Sequence, residues 1–295
     1  TNDELEDLMV SVNGNYVGIG IYMTKNDDGD ILVLLPIEGS PAEEADLQTG
    51  DIIKKVDGKE CNGLELTDVS NMVKGDLEIL RDNKTFSIDV ERRKVEIKYI
   101  ESKVLDGNIG YIEMLGFEEN CTAKFKEELE KLKKQNINSL IIDLRENGGG
   151  LVTEAISMSE LFVPMGDVIL KTYDKNNIET VTKSTNPSTE KMKIVVLVNE
   201  NSASATEIFA AAIQDNEAGT IIGTTTYGKG IMQEVEPLAI GGALKVTIEE
   251  FRTPKGNKIH EVGITPDIEV ENEKIITEEA QDKQLQTAIN FLKNQ

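Results

Sequence analysis

The chain has 295 residues, of which 39% are hydrophobic and 29% are charged, a composition typical of a folded globular protein. Its 54 acidic residues against 31 Lys and Arg give a formal net charge of -23, which excludes nucleic acid and anionic lipid surfaces as general partners. The longest apolar runs are only about five residues, well short of a membrane span. The length favours two domains in a soluble protein.

Few residues are available for metal or redox chemistry. Cys61 and Cys121 lie far apart and form no CxxC or Cys/His pattern, so the sequence predicts neither a zinc site nor a disulfide framework. The acidic residues are dispersed, and the glycine patterns lack the spacing of nucleotide-binding loops. We therefore expect no cofactor and no metal. A single bridge between the two cysteines remains open.

The first part of the chain has two segments of different character. Residues 1–14 are acidic and partly apolar, and they predict a short helical arm that could serve in dimerisation. Residues 15–94 contain short apolar runs broken by turn signals, among them KNDDGD and the Asp57-Gly58 dipeptide. This pattern predicts a compact β-rich domain with a short helix after Pro41 and a second helix at 67–73.

From residue 95 to residue 295 the pattern changes to longer alternating segments. Strands are predicted at 109–113, 140–144, 194–198 and 220–223, with helices between them. In CTAKFKEELEKLKKQ, the positions Phe125, Leu129 and Leu132 define one buried helix face. Such alternation is typical of an α/β core with parallel strands. Residues 176–191 predict a polar loop or exposed hairpin, and the chain ends in a predicted helix.

The segment NSASATEIFAAAIQD, residues 201–215, follows the apolar strand IVVLV and carries hydroxyls on alternate residues, Ser202, Ser204 and Thr206. Ser and Thr are favoured as helix N-caps, and one of the three should serve that role. Three hydroxyls are more than a cap requires. A serine at a strand-to-helix junction is held in an exposed turn near the positive end of the helix dipole, which suits a nucleophile. At this level any of the three could be the reactive one.

Two other segments could complete a hydroxyl-based site. IIDLRENGGG, residues 141–150, runs from a predicted strand into three glycines, whose amides can turn toward a ligand. Lys229 lies between Gly228 and Gly230 and could act as a general base in its neutral form. The plainer interpretation of YGKG is a hairpin turn with a solvated lysine. His260, the only histidine, lies in a polar segment, so we expect a structural or exposed role rather than a Ser-His-Asp triad.

Three elements in this order, DLRENGGG, NSASATEIFAAAIQD and TTTYGKGIMQ, resemble the carboxyl-terminal processing peptidases, the tail-specific serine proteases that carry a PDZ domain. The β-rich domain resembles the PDZ domain of that family through YVGIGI and SPAEEADLQTGDIIKKVDG. The resemblance covers nearly the whole chain. It implies an α/β multidomain fold, with a PDZ-like β-rich domain at 15–94 and a Clp-protease/crotonase-like α/β serine protease core at 95–295.

The resemblance also assigns roles. It implies Ser204 as nucleophile, Lys229 as general base 25 residues later, and Gln233 as the residue that orients the lysine. The oxyanion hole would use the backbone amides of Ala205 and Gly149. Asp215 matches a family acid for which we expect a structural role.

In the PDZ-like domain, Gly18, Ile19, Gly20 and Ile21 would bind the carboxylate of a substrate tail. The implied partners are protein or peptide substrates with accessible apolar C-termini, with no nucleic acid and with a homodimer as a further expectation. Since the family is usually exported in bacteria, we expect an extracytoplasmic protein, secreted or membrane-anchored.

Two departures from the family pattern concern the site. The serine that usually precedes the helix glutamate is Thr206, and the proline of the family's DLRxNPGG is replaced by Gly148, which gives the oxyanion loop more freedom. Two rival functions stay open: a non-catalytic PDZ scaffold on an inactive protease core, and a crotonase-like enzyme acting on thioesters. The second leaves the PDZ-like domain unexplained.

Overall fold

The computed structural model describes residues 16–26, 28–37, 39–73, 75–95, 99–237, 243–272 and 282–294. Contacts divide the chain into two units, with the main division between residues 97 and 98. The predicted helical arm at 1–14 lies outside the described residues. We retain 15–94 and 95–295 as proposed limits of the two domains.

The first unit is a small antiparallel β structure with two short helices. Its larger sheet has the order β2-β3-β4-β6-β7, with β5 paired to β4, and β1 pairs with β8 in a separate two-stranded sheet. The strands are β1 (Tyr16–Gly18), β2 (Ile21–Lys25), β3 (Ile31–Pro36), β4 (Ile52–Val56), β5 (Lys59–Glu60), β6 (Gly75–Arg81), β7 (Lys84–Val90) and β8 (Arg93–Val95).

Helices α1 (Pro41–Glu44) and α2 (Leu66–Met72) complete this unit, close to the predicted positions. Pro41 starts α1 because its fixed φ suits the first helical position, and the Ser40 hydroxyl caps the helix by accepting from the Glu43 N–H. Helix α2 packs beside β2, the terminal strand of the larger sheet. Among the described strands, only β3 pairs with β2, so the other edge of β2 carries no described strand.

The second unit is built on a six-stranded sheet of order β18-β15-β14-β11-β10-β9. All neighbours are parallel except β9, which is antiparallel to β10. The strands are β9 (Ile100–Leu105), β10 (Ile109–Met114), β11 (Ser139–Asp143), β14 (Lys193–Val198), β15 (Thr220–Gly223) and β18 (Ile268–Glu269).

Helices cover both faces of this sheet. On one face, α3 (Cys121–Lys133), α4 (Val152–Ser159) and α5 (Ala205–Asp215) pack on Ile142 and Val196, and Phe125, Leu129 and Leu132 of α3 are buried as predicted. On the other face, α6 (Lys283–Lys293) packs on Ile141 and Val195. Because β11 and β14 are apolar on both faces, they read as continuous hydrophobic runs in the sequence.

A second, antiparallel sheet of order β13-β12-β17-β16 belongs to the same unit. Its strands are β12 (Val168–Asp174), β13 (Glu179–Lys183), β16 (Ile231–Pro237) and β17 (Ala243–Arg252). Since β12 and β13 pair with each other, the segment 176–191 contributes to a hairpin, one of the two predicted alternatives. No helix among the described residues is long and apolar enough to cross a membrane.

Three loops leave the carboxyl ends of neighbouring parallel strands. Residues 144–151 follow β11, residues 199–204 follow β14, and residues 224–230 follow β15. In open α/β sheets this edge is where ligands bind, because the loops of adjacent strands converge there. All the residues predicted from the sequence to act in the α/β core, except Ala205 and Gln233, lie on these three loops.

Candidate active site

Ser204 stands at the start of α5 in an unusual backbone conformation. Its φ of 58° and ψ of −116° lie in a region that side-chain-bearing residues rarely adopt. The sharp turn is held by hydrogen bonds on both sides, since the Glu207 N–H donates to the Ser204 carbonyl at 2.9 Å and the Ala203 N–H donates to the Asn147 carbonyl at 3.0 Å. The strand-to-helix junction therefore presents one strained serine.

The two neighbouring hydroxyls are used in the structure of this turn. Ser202 and Thr206 are fully buried, whereas Ser204 is partly exposed. The Ser202 hydroxyl donates to the Leu144 carbonyl at 2.7 Å, and the Thr206 hydroxyl donates to the Asn147 carboxamide oxygen at 2.8 Å. Of the three hydroxyls, only that of Ser204 is accessible for chemistry.

Glu207 is a buried carboxylate that joins the Ser204 turn to the Lys229 loop. Its Oε2 accepts from the Ser204 N–H and the Lys229 N–H, each at 2.8 Å. Its Oε1 accepts from the Thr226 hydroxyl at 2.6 Å and the Gly228 N–H at 2.7 Å. With four donors, this fully buried acid meets the requirement that a buried charge be hydrogen-bonded.

Glu207 is a site residue that the sequence patterns did not predict. The signal available was an acidic residue in the otherwise uncharged run ATEIFAAAI, in the first turn of a helix whose other early residues are buried. An acid there is favoured by the helix dipole. Neither feature indicates that Glu207 also binds Thr226, Gly228 and Lys229, which lie 19 to 22 residues further along the chain.

The glycine-rich loop packs directly on the Ser204 turn. A Cβ on Gly149 would lie 2.6 Å from the Ala203 carbonyl oxygen and 2.8 Å from the Ser204 Cβ, so only glycine fits this close approach. The Gly149 N–H donates to Asn147 Oδ1 at 2.9 Å. The loop is thus adjacent to Ser204 as predicted, but the Gly149 amide is engaged within the loop.

Two other amides near Ser204 have free donors. The N–H groups of Ala205 and Gly148 donate to no acceptor within the described part of the chain. Ala205 is the first residue of α5, where the helix leaves its N–H unpaired. Ala205 therefore has a donor available for an oxyanion, whereas Gly149 would first have to release Asn147.

Lys229 lies on a loop that is held on several sides. Its N–H is fixed by Glu207, and the Tyr227 N–H donates to the Ser202 carbonyl at 3.0 Å. A Cβ on Gly230 would lie 2.3 Å from the backbone nitrogen of His260, so the backbone at Gly230 packs closely against the segment around His260. This packing differs from a solvated hairpin turn.

The side chains of the predicted catalytic group are not joined in this structure. Lys229 is partly buried, but within the described residues no hydrogen bond links its ammonium to the Ser204 hydroxyl or to Gln233. Gln233 lies on β16 with an exposed side chain, opposite Thr247. The roles of Ser204, Lys229 and Gln233 stay predictions.

His260 and Asp215 lie outside the three loops of the site. His260 is partly buried, and its Nδ1 is buried without a hydrogen-bond partner in the described structure. The Asp215 carboxylate accepts from the Lys255 N–H at 2.8 Å, so it ties the end of α5 to a neighbouring loop. The described residues contain no group of three His, Cys, Asp or Glu side chains arranged for a metal ion.

The cysteines are buried and unpaired in the two different units. Burial, followed by the charge of Glu154, raises the pKa of the Cys121 thiol to about 12. Burial likewise raises the pKa of the Cys61 thiol. Both thiols therefore stay protonated near neutral pH, which makes them poor nucleophiles.

The predicted carboxylate-binding residues form a tight turn in the first unit. Gly20 has a φ of 80°, and a Cβ there would lie 2.3 Å from the Ser40 Cβ. The carbonyls of Ile19 and Gly20 accept from the N–H groups of Ala42 and Ile37, whereas the Ile19 and Gly20 N–H groups donate to no described residue. Gly18 ends β1 and Ile21 begins β2, the terminal strand of the larger described sheet.

The fold and the site together define a class of protein: an α/β core with a strained serine turn between a strand and a helix, preceded by a small β-rich domain. The family model "Peptidase family S41" matches residues 108–270, and a PDZ domain model matches residues 32–79. The chain belongs to peptidase family S41. The predicted family and the predicted fold class, a PDZ domain with an S41 protease core, are confirmed.

Two curated relatives and two solved structures illustrate the similarity. A "Probable CtpA-like serine protease" of Staphylococcus haemolyticus is 36% identical over 278 residues, and one of Staphylococcus aureus (strain COL) is 33% identical over 282 residues. The matches cover 92% and 93% of this chain but 56% of each relative, so the chain spans little more than half of their length.

Among solved structures, the photosystem II D1 C-terminal processing protease matches 95% of this chain and 79% of its own, with 28% identity and a TM-score of 0.63. An S41 protease structure from Bacteroides fragilis matches 99% of this chain and 90% of its own, with a TM-score of 0.68. The latter is 16% identical and supports the fold alone.

Proposed function

We propose that this protein is a serine endopeptidase that recognises the C-terminal tails of protein substrates through its PDZ domain and cleaves them at a Ser-Lys site. The main support for this proposal is the difference in burial and hydrogen bonding among the hydroxyls of Ser202, Ser204 and Thr206. Ser202 and Thr206 are buried and committed to backbone and side-chain acceptors, while Ser204 is partly exposed on a strained turn. Family S41 membership gives that serine its expected chemistry.

In the proposed reaction, neutral Lys229 removes the proton from the Ser204 hydroxyl as its oxygen attacks a peptide carbonyl. The tetrahedral oxyanion accepts from the Ala205 N–H and from an amide of the glycine loop, for which Gly149 is the predicted donor. Collapse expels the new amine, which takes the proton from Lys229. Water then attacks the acyl-enzyme with Lys229 again as base, and Ser204 is regenerated.

A rearrangement has to precede this chemistry. The Lys229 ammonium makes no described hydrogen bond to Ser204 or Gln233, and the Gly149 N–H is engaged by Asn147. We propose that a substrate tail bound by the PDZ domain favours a conformation in which these groups meet. The PDZ domain would then act as a gate as well as a tether.

The PDZ domain is proposed to bind the tail by strand addition. The Ile19 and Gly20 N–H groups, which donate to no described residue, could donate to a terminal carboxylate, and the adjacent strand β2 is the terminal strand of the described sheet, beside α2. An extended tail could therefore pair with β2 while its carboxylate rests on the turn formed by Gly18 to Ile21. An apolar terminal residue is the expected preference.

The proposal is tested by incubating the protein with an unstructured peptide that ends in an apolar residue. We expect cleavage by the wild type and a loss of at least about 1,000-fold in Ser204→Ala and Lys229→Ala. Ser188→Ala and Lys175→Ala, both at exposed positions, serve as matched controls and should cleave normally. Equal cleavage by all five forms would refute the Ser-Lys assignment.

A second candidate, a non-catalytic PDZ scaffold, is favoured by one observation: the missing hydrogen bond between Ser204 and Lys229. The same experiment distinguishes the two functions. A scaffold binds the peptide tail, as measured by fluorescence anisotropy, but cleaves it in no form. A peptidase cleaves it in the wild type and binds it without cleavage in Ser204→Ala.

The extracytoplasmic location and the homodimer are further proposals that rest on the resemblance to the family. The segments proposed for dimerisation are 1–14 and 280–295. Sedimentation equilibrium of the chain, with and without residues 1–14, would test the dimer. A monomer in both forms would exclude it.

A further inference from the structure

A buried ion network lies at the start of the glycine-rich loop. The Arg145 guanidinium donates from Nε to Asp143 Oδ1 at 2.9 Å and from Nη1 to Asp282 Oδ1 at 2.9 Å. The three side chains are 15%, 2% and 9% exposed. Burial opposes the charge on Arg145, but the hydrogen bonds and charges of the two carboxylates outweigh it and raise the pKa of Arg145.

Asp282 is also the N-cap of α6. Its Oδ1 accepts from the Leu285 N–H at 2.9 Å, so one carboxylate caps the helix and pairs with Arg145. Helix α6 is firmly docked, because Leu285, Ala288 and Ile289 are buried against the sheet. Arg145 is thereby anchored to an element 137 residues away in the chain.

Beyond Arg145, contacts continue into the other two loops of the site. Glu146 accepts from the carboxamides of Asn199, at 2.6 Å, and Asn201, at 2.8 Å, just before Ser204. The Thr224 hydroxyl donates to Glu200 at 3.1 Å and so connects the loop that carries Lys229. A cavity of about 900 Å³ is lined by all three loops and by α6, with Arg145 in its wall.

We propose that Arg145 and Asp282 are positioning residues for the candidate active site. The ion network holds Arg145 near the start of the loop 144–151, and the loop in turn places Gly149 against Ser204. Without the ion pair between Arg145 and Asp282, the loop would still follow β11, but Arg145 would no longer be anchored to α6. The proposal rests on the proposed peptidase function for its kinetic consequence, although the effect on loop order does not require catalysis.

The test separates the ion pair from the helix cap. Asp282→Asn retains a good N-cap, since Asn caps helices about as well as Asp, but removes the charge that faces Arg145. We expect kcat on the tail peptide to fall roughly tenfold or more, with KM within about threefold, because misplaced catalytic groups cost rate rather than tail binding. Arg145→Lys, which keeps the charge and loses the two-pronged geometry, should behave in the same way.

Hydrogen exchange measured by mass spectrometry gives a readout that is independent of activity. The Glu146 and Gly149 amides donate to Asn199 and Asn147, and the Leu151 amide donates to the Phe117 carbonyl, so this segment should be protected in the wild type. In Asp282→Asn we expect faster exchange over residues 146–151. Far-UV circular dichroism should stay unchanged.

The matched control acts at the other end of α6. Asp106→Asn removes the ion pair with Lys293, 2.5 Å long, without touching Arg145, and should leave kcat and exchange at 146–151 unchanged. Wild-type exchange and kcat in both Asp282→Asn and Arg145→Lys would overturn the positioning role, as would an equal loss in Asp106→Asn. If the wild type cleaves nothing, the proposed function fails, and the exchange comparison still decides the positioning role.

Discussion

Ser204 combines a partly exposed hydroxyl with a backbone conformation that favours glycine. Its φ and ψ match the first central position of a tight turn of type II′, where glycine predominates. Holding serine there costs free energy that the surrounding hydrogen bonds must offset. Such strain is expected where a side chain must stand clear of the turn, so the conformation itself supports a functional role for this residue.

This strain gives a test by substitution. Ser204→Gly should raise the free energy of unfolding by about 1 kcal/mol, because glycine adopts this conformation with little strain, while peptide cleavage is lost. Ser204→Ala is the matched control, since alanine keeps the strain and should lose activity without gaining stability. Urea unfolding of the three proteins measures the difference. A gain in Ser204→Ala equal to that in Ser204→Gly would show that strain is not the cause.

The hydrogen bonds of Glu207 to the Ser204 turn and the Lys229 loop can also be tested by substitution. Glu207→Gln replaces an acceptor oxygen with an amide that faces N–H donors, so we expect a loss of about 2 to 4 kcal/mol in the free energy of unfolding. Cleavage should also fall by at least about tenfold, since the Ser204 turn and the Lys229 loop lose their common anchor. Glu127→Gln, at an exposed position on α3, should change stability by less than about 0.5 kcal/mol. Equal stability of both variants would contradict the anchoring role.

Several buried or partly buried charged side chains lie near the carboxyl ends of β10 and β11, among them Glu113, Asp143 and Arg145. Burial, reinforced by the charges of Asp143 and Glu101, raises the pKa of Glu113 on β10 above the ordinary value for Glu, with Arg145 and Lys103 opposing. A carboxyl whose pKa is raised on folding contributes stability that is present at low pH and lost as pH rises through its folded-state pKa. Glu113 therefore contributes less to stability near neutral pH than at low pH.

Glu113→Gln should accordingly raise Tm at pH 7 and leave it nearly unchanged at about pH 3, below the ordinary pKa of Glu, where the carboxyl is protonated in both the folded and the unfolded state. Glu128 on α3 provides a control of opposite sign, because hydrogen bonds from Lys131 and Ser102 lower the pKa of Glu128. Glu128→Gln should lower Tm at pH 7. Differential scanning calorimetry at both pH values measures these changes, and a lower Tm for Glu113→Gln at pH 7 would contradict the account.

The elements themselves were largely predictable from the sequence. Strands β11 and β14 are continuous apolar runs because helices cover both of their faces, and the spacing of Phe125, Leu129 and Leu132 reports the buried side of α3. The three loops of the site follow from those strands, since parallel strands end at one edge. Local pattern therefore predicts the elements and the edge where the site lies.

The contacts within the site were less predictable. Asn147 lies in the glycine motif, but nothing in its sequence context indicates that its side chain engages the Gly149 amide. The partnership of Arg145 with Asp282 joins residues 137 positions apart and depends on where α6 docks. Both are consequences of tertiary packing, which single-sequence patterns do not encode.

For the molecule as a whole, the division into a PDZ unit and a protease unit predicts that the C-terminal carboxylate of a substrate contributes to cleavage although it is not at the cleaved bond. A peptide with an amidated C-terminus lacks the carboxylate that the Ile19 and Gly20 amides are proposed to bind. We expect its KM to rise about tenfold or more relative to the free acid, because charge-assisted hydrogen bonds are lost. If the PDZ domain is also a gate, kcat falls as well.

The control for this experiment keeps the peptide charge constant. A peptide amidated at its C-terminus, with a compensating carboxylate placed in its interior, should behave like the amidated peptide rather than like the free acid. Steady-state kinetics by mass spectrometry of the products compares the three. Equal kcat/KM for all three peptides would remove the PDZ domain from tail recognition.

If Ser204 is the nucleophile and Lys229 its base, as we propose, a serine-reactive probe should label Ser204 covalently. In the presence of a tail peptide, a serine-reactive fluorophosphonate should add one label per chain, and peptide mapping should place it on Ser204. The rate should rise with pH as the base loses its proton, and Lys229→Ala should label far more slowly. A label on another residue, or equal labelling of Lys229→Ala and the wild type, would contradict these roles.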